Sequence, residues 1–239
     1  MNKPLTIDTD LLCLDAGNTV IFLDHERLGA MVGVEPSALV RTEGEAKRLA
    51  ESGELLDLEW SAKSAPGAGN WGRMVGTIVH RAGVPERDVP TLLDAIWKSH
   101  VELNLWSKVP AGLGEALDDL RETGAKVAII SNSEGMLERL FTHLGVLKHF
   151  DLVVDSGLAG VEKPDPRIFQ IAFDHFGVTP ARTVHLGDVY ATDVLGARAA
   201  GCRVGLIDPF GHYEGRHPEV PRVVGAPEVA REIAKLRRA

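Results

Sequence analysis

Three short apolar runs in this 239-residue sequence each end abruptly in polar residues. The runs are 11–14 (LLCL), 126–130 (KVAII) and 183–186 (TVHL), and the residues that follow them are Asp15, Ser131 and Gly187-Asp188. Each run precedes a helical pattern, as in SEGMLERLFTHLGV and ATDVLGARAAG. Repeated units of strand, loop and helix indicate a parallel sheet with helices on both faces. We therefore predict an α/β fold.

Further elements extend this pattern. Strands are predicted at 151–154 (DLVV) and 203–207 (RVGLI), and helices at 112–123, 134–144 and 166–176. Each of the three helices is followed by a glycine, the residue that most readily takes the left-handed conformation at a helix end.

The segment 25–105 has a different character. It contains three long helical patterns, LVRTEGEAKRLAES, NWGRMVGTIVHRAG and VPTLLDAIWKSHVELNLW, a glycine-rich break at SAPGAGN, and no convincing strand. We predict that residues 1–24 and 106–239 form the α/β core and that 25–105 form an inserted all-helical cap domain.

Composition narrows the function. The formal net charge of -8, from 26 basic and 34 acidic residues, argues against a nucleic-acid binder. No apolar run approaches the length of a membrane span. Cys13 and Cys202 show no metal-binding or disulfide spacing, which favours a reducing compartment. We expect a cytoplasmic protein, monomer or homodimer, with a small-molecule substrate and neither nucleic acid nor membrane as partner.

Ligand sites in open parallel sheets lie beyond the carboxyl ends of the strands, so the three polar tracts should converge. Asp15 would then meet Asp188 and Asp193 of GDVYATD. Three neighbouring carboxylates repel one another unless a cation lies between them, and oxygen ligands suit Mg²⁺. The pattern predicts a divalent cation site.

Other residues supply positive charge and anion binding. Lys163 of VEKPDP precedes a proline, so its backbone is biased towards an extended form. Ser131 and Asn132 offer a hydroxyl, an amide and backbone N–H groups close to a helix N-terminus. A nucleophilic carboxylate, a cation, a lysine and oxyanion donors together describe phosphoryl transfer through an aspartyl-phosphate.

The tracts DAGNT, SNS, EKPDP and GDVYATDVLGARAAG resemble, in order, the four motifs of the haloacid dehalogenase (HAD) superfamily. The resemblance implies a Rossmann-like core with a helical cap. It also implies roles for individual residues: Asp15 as nucleophile, Thr19 and Ser131 as ligands of the transferring group, Lys163 as the neutralising cation, Asp188 as a Mg²⁺ ligand with Asp193 beside it, and the Gly17 backbone carbonyl as a further ligand.

Gly17 departs from the family pattern. Most phosphatases of the superfamily carry an Asp there, which protonates the leaving oxygen and later activates water. Glycine keeps the carbonyl but loses acid–base catalysis, a loss of about 10² to 10⁴-fold in rate for a typical leaving group. Asn18 is a milder departure from the usual Gly, because Asn tolerates the left-handed backbone.

Three functions fit the sequence. The first is a Mg²⁺-dependent phosphatase for a small phosphorylated metabolite, with unusual proton handling. The second is hydrolysis of another bond, as in 2-haloacid dehalogenases, or as in phosphonoacetaldehyde hydrolase with Lys47 or Lys63 as a Schiff-base lysine. The third is a slow or non-catalytic member that binds a phosphorylated ligand.

Overall fold

The computed structural model describes residues 5–239, so residues 1–4 of the predicted core lie outside the described residues. The chain forms two compact units. The core unit comprises the chain up to Phe22, Val109–Pro209 and Gly215–Ala239. The helical unit comprises Leu23–Lys108 and Phe210–Glu214.

The core unit is built on a six-stranded parallel sheet, which confirms the predicted fold class. Its strands, in chain order, are β1 (Leu11–Leu14), β4 (Lys126–Ser131), β5 (Leu152–Asp155), β6 (Thr183–Gly187), β7 (Arg203–Ile207) and β8 (Arg222–Val223). The remaining strands, β2 (Phe22–Leu23) and β3 (Trp106–Lys108), form a separate two-stranded sheet.

The order of the strands across the sheet is β5-β4-β1-β6-β7-β8. The chain first builds outwards from β1 on one side and then returns to add β6 on the other, so the strand order reverses between β1 and β6. Leu14 of β1 lies opposite both Ile129 and Leu186 in register. The carboxyl ends of β1, β4 and β6 therefore meet at the point where open α/β sheets bind ligands.

The described residues contain ten α-helices. They are α1 (His25–Val32), α2 (Pro36–Ser52), α3 (Ala68–Arg81), α4 (Val89–Glu102), α5 (Leu113–Arg121), α6 (Leu137–His143), α7 (Ser156–Ala159), α8 (Arg167–Phe176), α9 (Leu195–Ala199) and α10 (Ala226–Arg238). The three predicted core helices correspond to α5, α6 and α8. Among the described residues, no helix has both the length and the apolar character needed to cross a bilayer.

The stretch predicted as one helix over ATDVLGARAAG differs from an ordinary α-helix. A π-helix, Tyr190–Val194, begins one residue before this stretch, and Leu195–Ala199 then continues as α-helix. A π-turn shifts side chains relative to the 3.6-residue period and is frequent at functional sites. Asp193 lies in this turn.

The helical unit has its own hydrophobic core. Leu28, Leu39, Ile78 and Ile96 of its four helices are fully buried in one cluster. All four tryptophans of the chain lie in this unit, where Trp60, Trp71 and Trp97 pack with ring centroids 4.9–5.8 Å apart. No part of the described segment 25–105 contributes a strand to the six-stranded sheet.

Residues 210–214 depart from the predicted division of the chain, which assigned all of 106–239 to the core. They group with the helical unit because His212 is buried there. Its Nε2–H donates to the carbonyl of Val40 at 3.0 Å, and Lys47 donates to its Nδ1 at 3.2 Å. Gly44 leaves room for the imidazole ring, since a Cβ there would lie 2.6 Å from His212 Cδ2.

Two arginines bind Asp10, the residue that directly precedes β1. Asp10 accepts hydrogen bonds from Arg182 and, at 2.8 Å, from Nη1 of Arg237 in α10. Nη1 of Arg237 also donates to the Thr9 carbonyl at 2.6 Å. Hydrogen bonding to Arg182 is the main cause of the low pKa of Asp10, about 2 against an ordinary 3.8, with burial opposing it and Arg237 adding to it.

We predict that Asp10→Asn lowers the free energy of unfolding by about 1 kcal/mol near neutral pH, a value reduced for partial solvent screening. Because the folded-state pKa is depressed, this contribution is complete above pH 3.8 and disappears as the pH falls through about 2. Urea unfolding of both proteins across that range measures the difference. A constant difference at every pH would contradict the assignment.

Candidate active site

The buried ammonium of Lys163 joins two carboxylates from distant parts of the chain. Its Nζ lies 2.5 Å from Oδ1 of Asp15 and 2.6 Å from Oδ1 of Asp193. Burial raises the pKa of Asp15 to about 7; Lys163 opposes this rise, and the charges of Asp193 and Asp188 add to it. Burial alone would lower the pKa of Lys163, but the two carboxylates outweigh it and the pKa is raised. The Lys163 side chain is therefore protonated.

The side chain of Asn132 positions Lys163. Its Nδ2 donates to the Lys163 carbonyl at 2.8 Å, and its Oδ1 accepts from the Lys163 backbone N–H at 2.7 Å. The sequence assigned Asn132 to substrate binding, whereas the structure directs both polar ends of its amide to the Lys163 backbone. Gly196 of α9 lets the backbone after Lys163 approach closely, because a Cβ at Gly196 would lie 3.0 Å from Cα of Pro164.

Asp193 is fixed by three protein donors. Its Oδ1 accepts from Lys163 and from Nε2 of His185 at 3.2 Å, and its Oδ2 accepts from the backbone N–H of Val189 at 2.9 Å. Burial raises its pKa, but Lys163 and His185 outweigh burial and hold the pKa well below the usual range. Asp193 is thus an ionised anchor for Lys163 as well as a predicted cation ligand.

Two features of β6 allow this arrangement. A Cβ at Gly187 would lie 2.2 Å from Cγ of Asp193, so the glycine makes room for the carboxylate. His185, two residues earlier, is fully buried, and burial holds its pKa below the usual value. A neutral imidazole can donate from Nε2 without adding charge. The strand pattern does not predict the contact of His185 with Asp193, because that contact depends on the π-turn that carries Asp193.

The structure brings together the three predicted carboxylates. Asp15, Asp188 and Asp193 each offer one oxygen, and these oxygens lie within 4.8 Å of one another. All three side chains are buried. Lys163 brings one positive charge to these three carboxylates, so this group of four side chains carries an excess of negative charge. This donor set, oxygen only and anionic, is what Mg²⁺ prefers.

The loop after β1 is closed around the carbonyl of Ala16, which accepts from the N–H groups of Val20 and Ile21 at 3.0 Å each. Asn18 has a φ of 50°, the left-handed conformation expected at this position. The hydroxyl of Thr19 is buried and has no hydrogen-bond partner among the described residues. Gly17 is half-buried and forms an isolated bridge with Ile21.

Asp155 is a structural residue of the site that the sequence reasoning missed. At the end of β5, opposite Ser131, its carboxylate accepts from the N–H groups of Gly135 and Leu137, and from that of Gly157. These bonds shape the loop that follows Ser131. The available signal was its position, since Asp155 directly follows an apolar run just as Asp15 does.

The proposed Schiff-base lysines lie in the helical unit. Lys63 pairs with Asp57 at 2.8 Å and with Glu59 at 2.6 Å, and hydrogen bonding to Asp57 raises its pKa. Lys47 is buried between Glu43 and His212. A lysine nucleophile needs a lowered pKa, which the surroundings of Lys63 do not provide.

Residues 11–201 match the haloacid dehalogenase-like hydrolase family. The chain is 32% identical over 209 residues to haloacid dehalogenase-like hydrolase domain-containing protein 3 of Bos taurus, covering 82% of this chain and 81% of that protein. It is 33% identical over 176 residues to phosphoserine phosphatase of Thermus thermophilus, covering 70% and 67%.

The fold is also found among solved structures. The magnesium-bound YfnB protein of Bacillus subtilis aligns with a TM-score of 0.66 at 16% identity, over 95% of this chain and 98% of that one. At this identity the likeness concerns the fold alone.

We predict that Gly187→Ala destabilises the core unit by about 1–3 kcal/mol, because the added methyl group overlaps the Asp193 carboxylate. Urea unfolding measures the loss. Gly69→Ala is the control, since a Cβ at that helical position would lie 3.5 Å from its nearest neighbour, at ordinary contact distance. Equal stability of Gly187→Ala and the wild type would show that Asp193 does not require the glycine.

Proposed function

The chain belongs to the haloacid dehalogenase-like hydrolase family, and we propose that within this family it is a Mg²⁺-dependent phosphatase of a small phosphorylated metabolite, acting through an aspartyl-phosphate on Asp15. The observation that carries this proposal is the buried contact of Lys163 with Asp15, beside two further carboxylates. A phosphoryl group brings negative charge, and this site pairs a nucleophile with the means to neutralise that charge.

Asp15 is the proposed nucleophile. Lys163 holds Oδ1 and favours the ionised carboxylate, so attack on phosphorus falls to Oδ2. The new bond joins Asp15 to phosphorus as the bond to the leaving oxygen breaks, and that oxygen takes a proton from water. In the second step water attacks phosphorus, the aspartyl bond breaks, and inorganic phosphate and the Asp15 carboxylate are released.

Mg²⁺ would be held by Asp15 and Asp188, with Asp193 in reach and the Gly17 carbonyl as the further proposed ligand. The grouping of three buried carboxylates around the Lys163 ammonium supports this assignment. Burial, with a smaller contribution from the charges of Asp193 and Asp188, raises the pKa of Asp15 to about 7. When bound, the cation neutralises carboxylate and phosphoryl oxygens and keeps Asp15 ionised.

Thr19 and Ser131 are the proposed ligands of the phosphoryl oxygens. Thr19 is 1% exposed, and its buried hydroxyl lacks a protein partner among residues 5–239, an arrangement that costs free energy unless a ligand satisfies it. Ser131 is buried at the end of β4, where the loop shaped by Asp155 begins. Thr19 follows β1 and Ser131 is the last residue of β4, and these two strands are neighbours in the sheet.

Gly17 restricts the substrates. Without a carboxylic acid at that position, the leaving oxygen depends on solvent for its proton. Substrates whose leaving group departs as a stable anion should therefore react faster than alkyl phosphates, by a factor within the roughly 10² to 10⁴ that general acid catalysis supplies.

A panel of phosphoesters, assayed with and without Mg²⁺ beside 2-chloropropionate and phosphonoacetaldehyde, tests the proposed function. We expect Mg²⁺-dependent release of phosphate from at least one ester. Release of chloride without Mg²⁺ would instead identify a dehalogenase. Cleavage of phosphonoacetaldehyde with loss on Lys47→Arg would identify a C–P hydrolase. A protein inert in every arm, yet able to bind phosphate, would be the non-catalytic member.

Substitutions in the first loop make a sharper prediction. Asp15→Asn should abolish turnover, because the amide is no nucleophile. Gly17→Asp should accelerate hydrolysis of alkyl phosphates by supplying the missing acid, and should change hydrolysis of p-nitrophenyl phosphate little. Initial rates on both substrates, with separate timing of the two half-reactions, measure the effect.

Circular dichroism and Mg²⁺ binding of Gly17→Asp serve as its controls. A folded, Mg²⁺-binding variant with no gain on any alkyl phosphate would contradict the assignment of Gly17 as the missing acid.

A further inference from the structure

Asn18 combines two properties within the nucleophile loop. Its backbone has a φ of 50°. Among the non-glycine residues of the described chain, only Asp8 and His217 also have a positive φ. Its side chain is buried, with 5% exposure. The left-handed backbone explains why Asn can occupy this position when few other residues can. It does not explain why the position is not glycine, the residue best suited to that conformation.

The side chain supplies the missing reason. Nδ2 of Asn18 donates to Oδ2 of Asp188 at 3.1 Å, a contact that links residues 170 positions apart. Asn18 follows β1 and Asp188 follows β6, the two strands between which the sheet order reverses. The hydrogen bond thus crosses the ligand-binding edge of the sheet.

The chemistry of an amide suits this place. Asp188 lies within the group of three carboxylates, where repulsion would turn an unrestrained side chain away from its neighbours. An amide N–H holds a carboxylate without bringing positive charge, so it does not compete with a cation as a lysine or arginine would. Donors that orient carboxylate ligands in this way commonly contribute 10- to 100-fold to metal affinity.

We propose that Asn18 is a positioning residue for the cation site, whose amide orients the Asp188 carboxylate towards Mg²⁺. This inference rests on the proposed Mg²⁺-dependent function. Gly17 lacks the acid–base carboxylate of the usual phosphatase motif. The next residue, Asn18, instead carries an amide that serves cation binding and not proton transfer.

Asn18→Gly removes the amide and keeps a residue that adopts the left-handed backbone without strain. Asp8→Gly is the matched control, because it also replaces a residue of positive φ, 52°, with glycine. Asp8 precedes β1 and so lies at the opposite end of that strand from Asp15. Asp188→Asn is the reference for loss of the cation ligand itself.

Isothermal titration with MgCl₂ and melting curves at increasing MgCl₂ are applied to the wild type and to the three variants. We expect Kd for Mg²⁺ to rise about 10- to 100-fold in Asn18→Gly, to stay unchanged in Asp8→Gly, and to exceed the measurable range in Asp188→Asn. The Mg²⁺-induced rise in melting temperature should shrink in the same order.

The outcomes separate the two proposals. If Asn18→Gly binds Mg²⁺ as tightly as the wild type while Asp188→Asn does not bind it, the role of Asn18 is wrong and the cation site stands. If the wild type binds no Mg²⁺, the metal-dependent function is wrong and the role of Asn18 falls with it. If Asn18→Gly and Asp8→Gly weaken Mg²⁺ binding equally, the loss comes from introducing glycine into the backbone and not from removing the Asn18 amide. That result also overturns the proposal.

Discussion

The buried ammonium of Lys163, held between Asp15 and Asp193, is the interaction on which the rest of the site depends. Removing charges from water is costly, and a buried ion pair that loses one partner leaves an uncompensated charge. Much of the surrounding structure reduces this cost. Asn132 fixes the lysine backbone, Gly187 makes room for Asp193, and neutral His185 donates a hydrogen bond without altering the charge balance.

The topology explains how these residues meet. Asp15 and Asp188 follow β1 and β6, which are adjacent in the sheet although about 170 residues separate them in the chain. Parallel pairing sends both carboxyl ends to the same edge, so the site arises from the order of the strands. The helical unit has its own core, to which α1–α4 contribute most of the buried side chains.

Much of the fold could be predicted because its signals are local. The apolar runs that end in Asp15, Ser131 and Gly187 mark strand ends, and glycines mark the ends of helices. The contacts of Asn132 with Lys163 and of Asn18 with Asp188 could not be predicted, because they join residues 31 and 170 positions apart. The π-turn at Tyr190–Val194 and the burial of His212 likewise depend on tertiary packing, which overrides local pattern.

Asp15 is the proposed acceptor of the phosphoryl group. Rapid quenching during turnover of a phosphoester, followed by borohydride reduction and peptide mass spectrometry, tests it directly, because borohydride converts an aspartyl-phosphate to homoserine. We expect homoserine at position 15 after turnover, and none in a reaction without substrate. Turnover of the ester with residue 15 unmodified, or with homoserine at another aspartate, would contradict it.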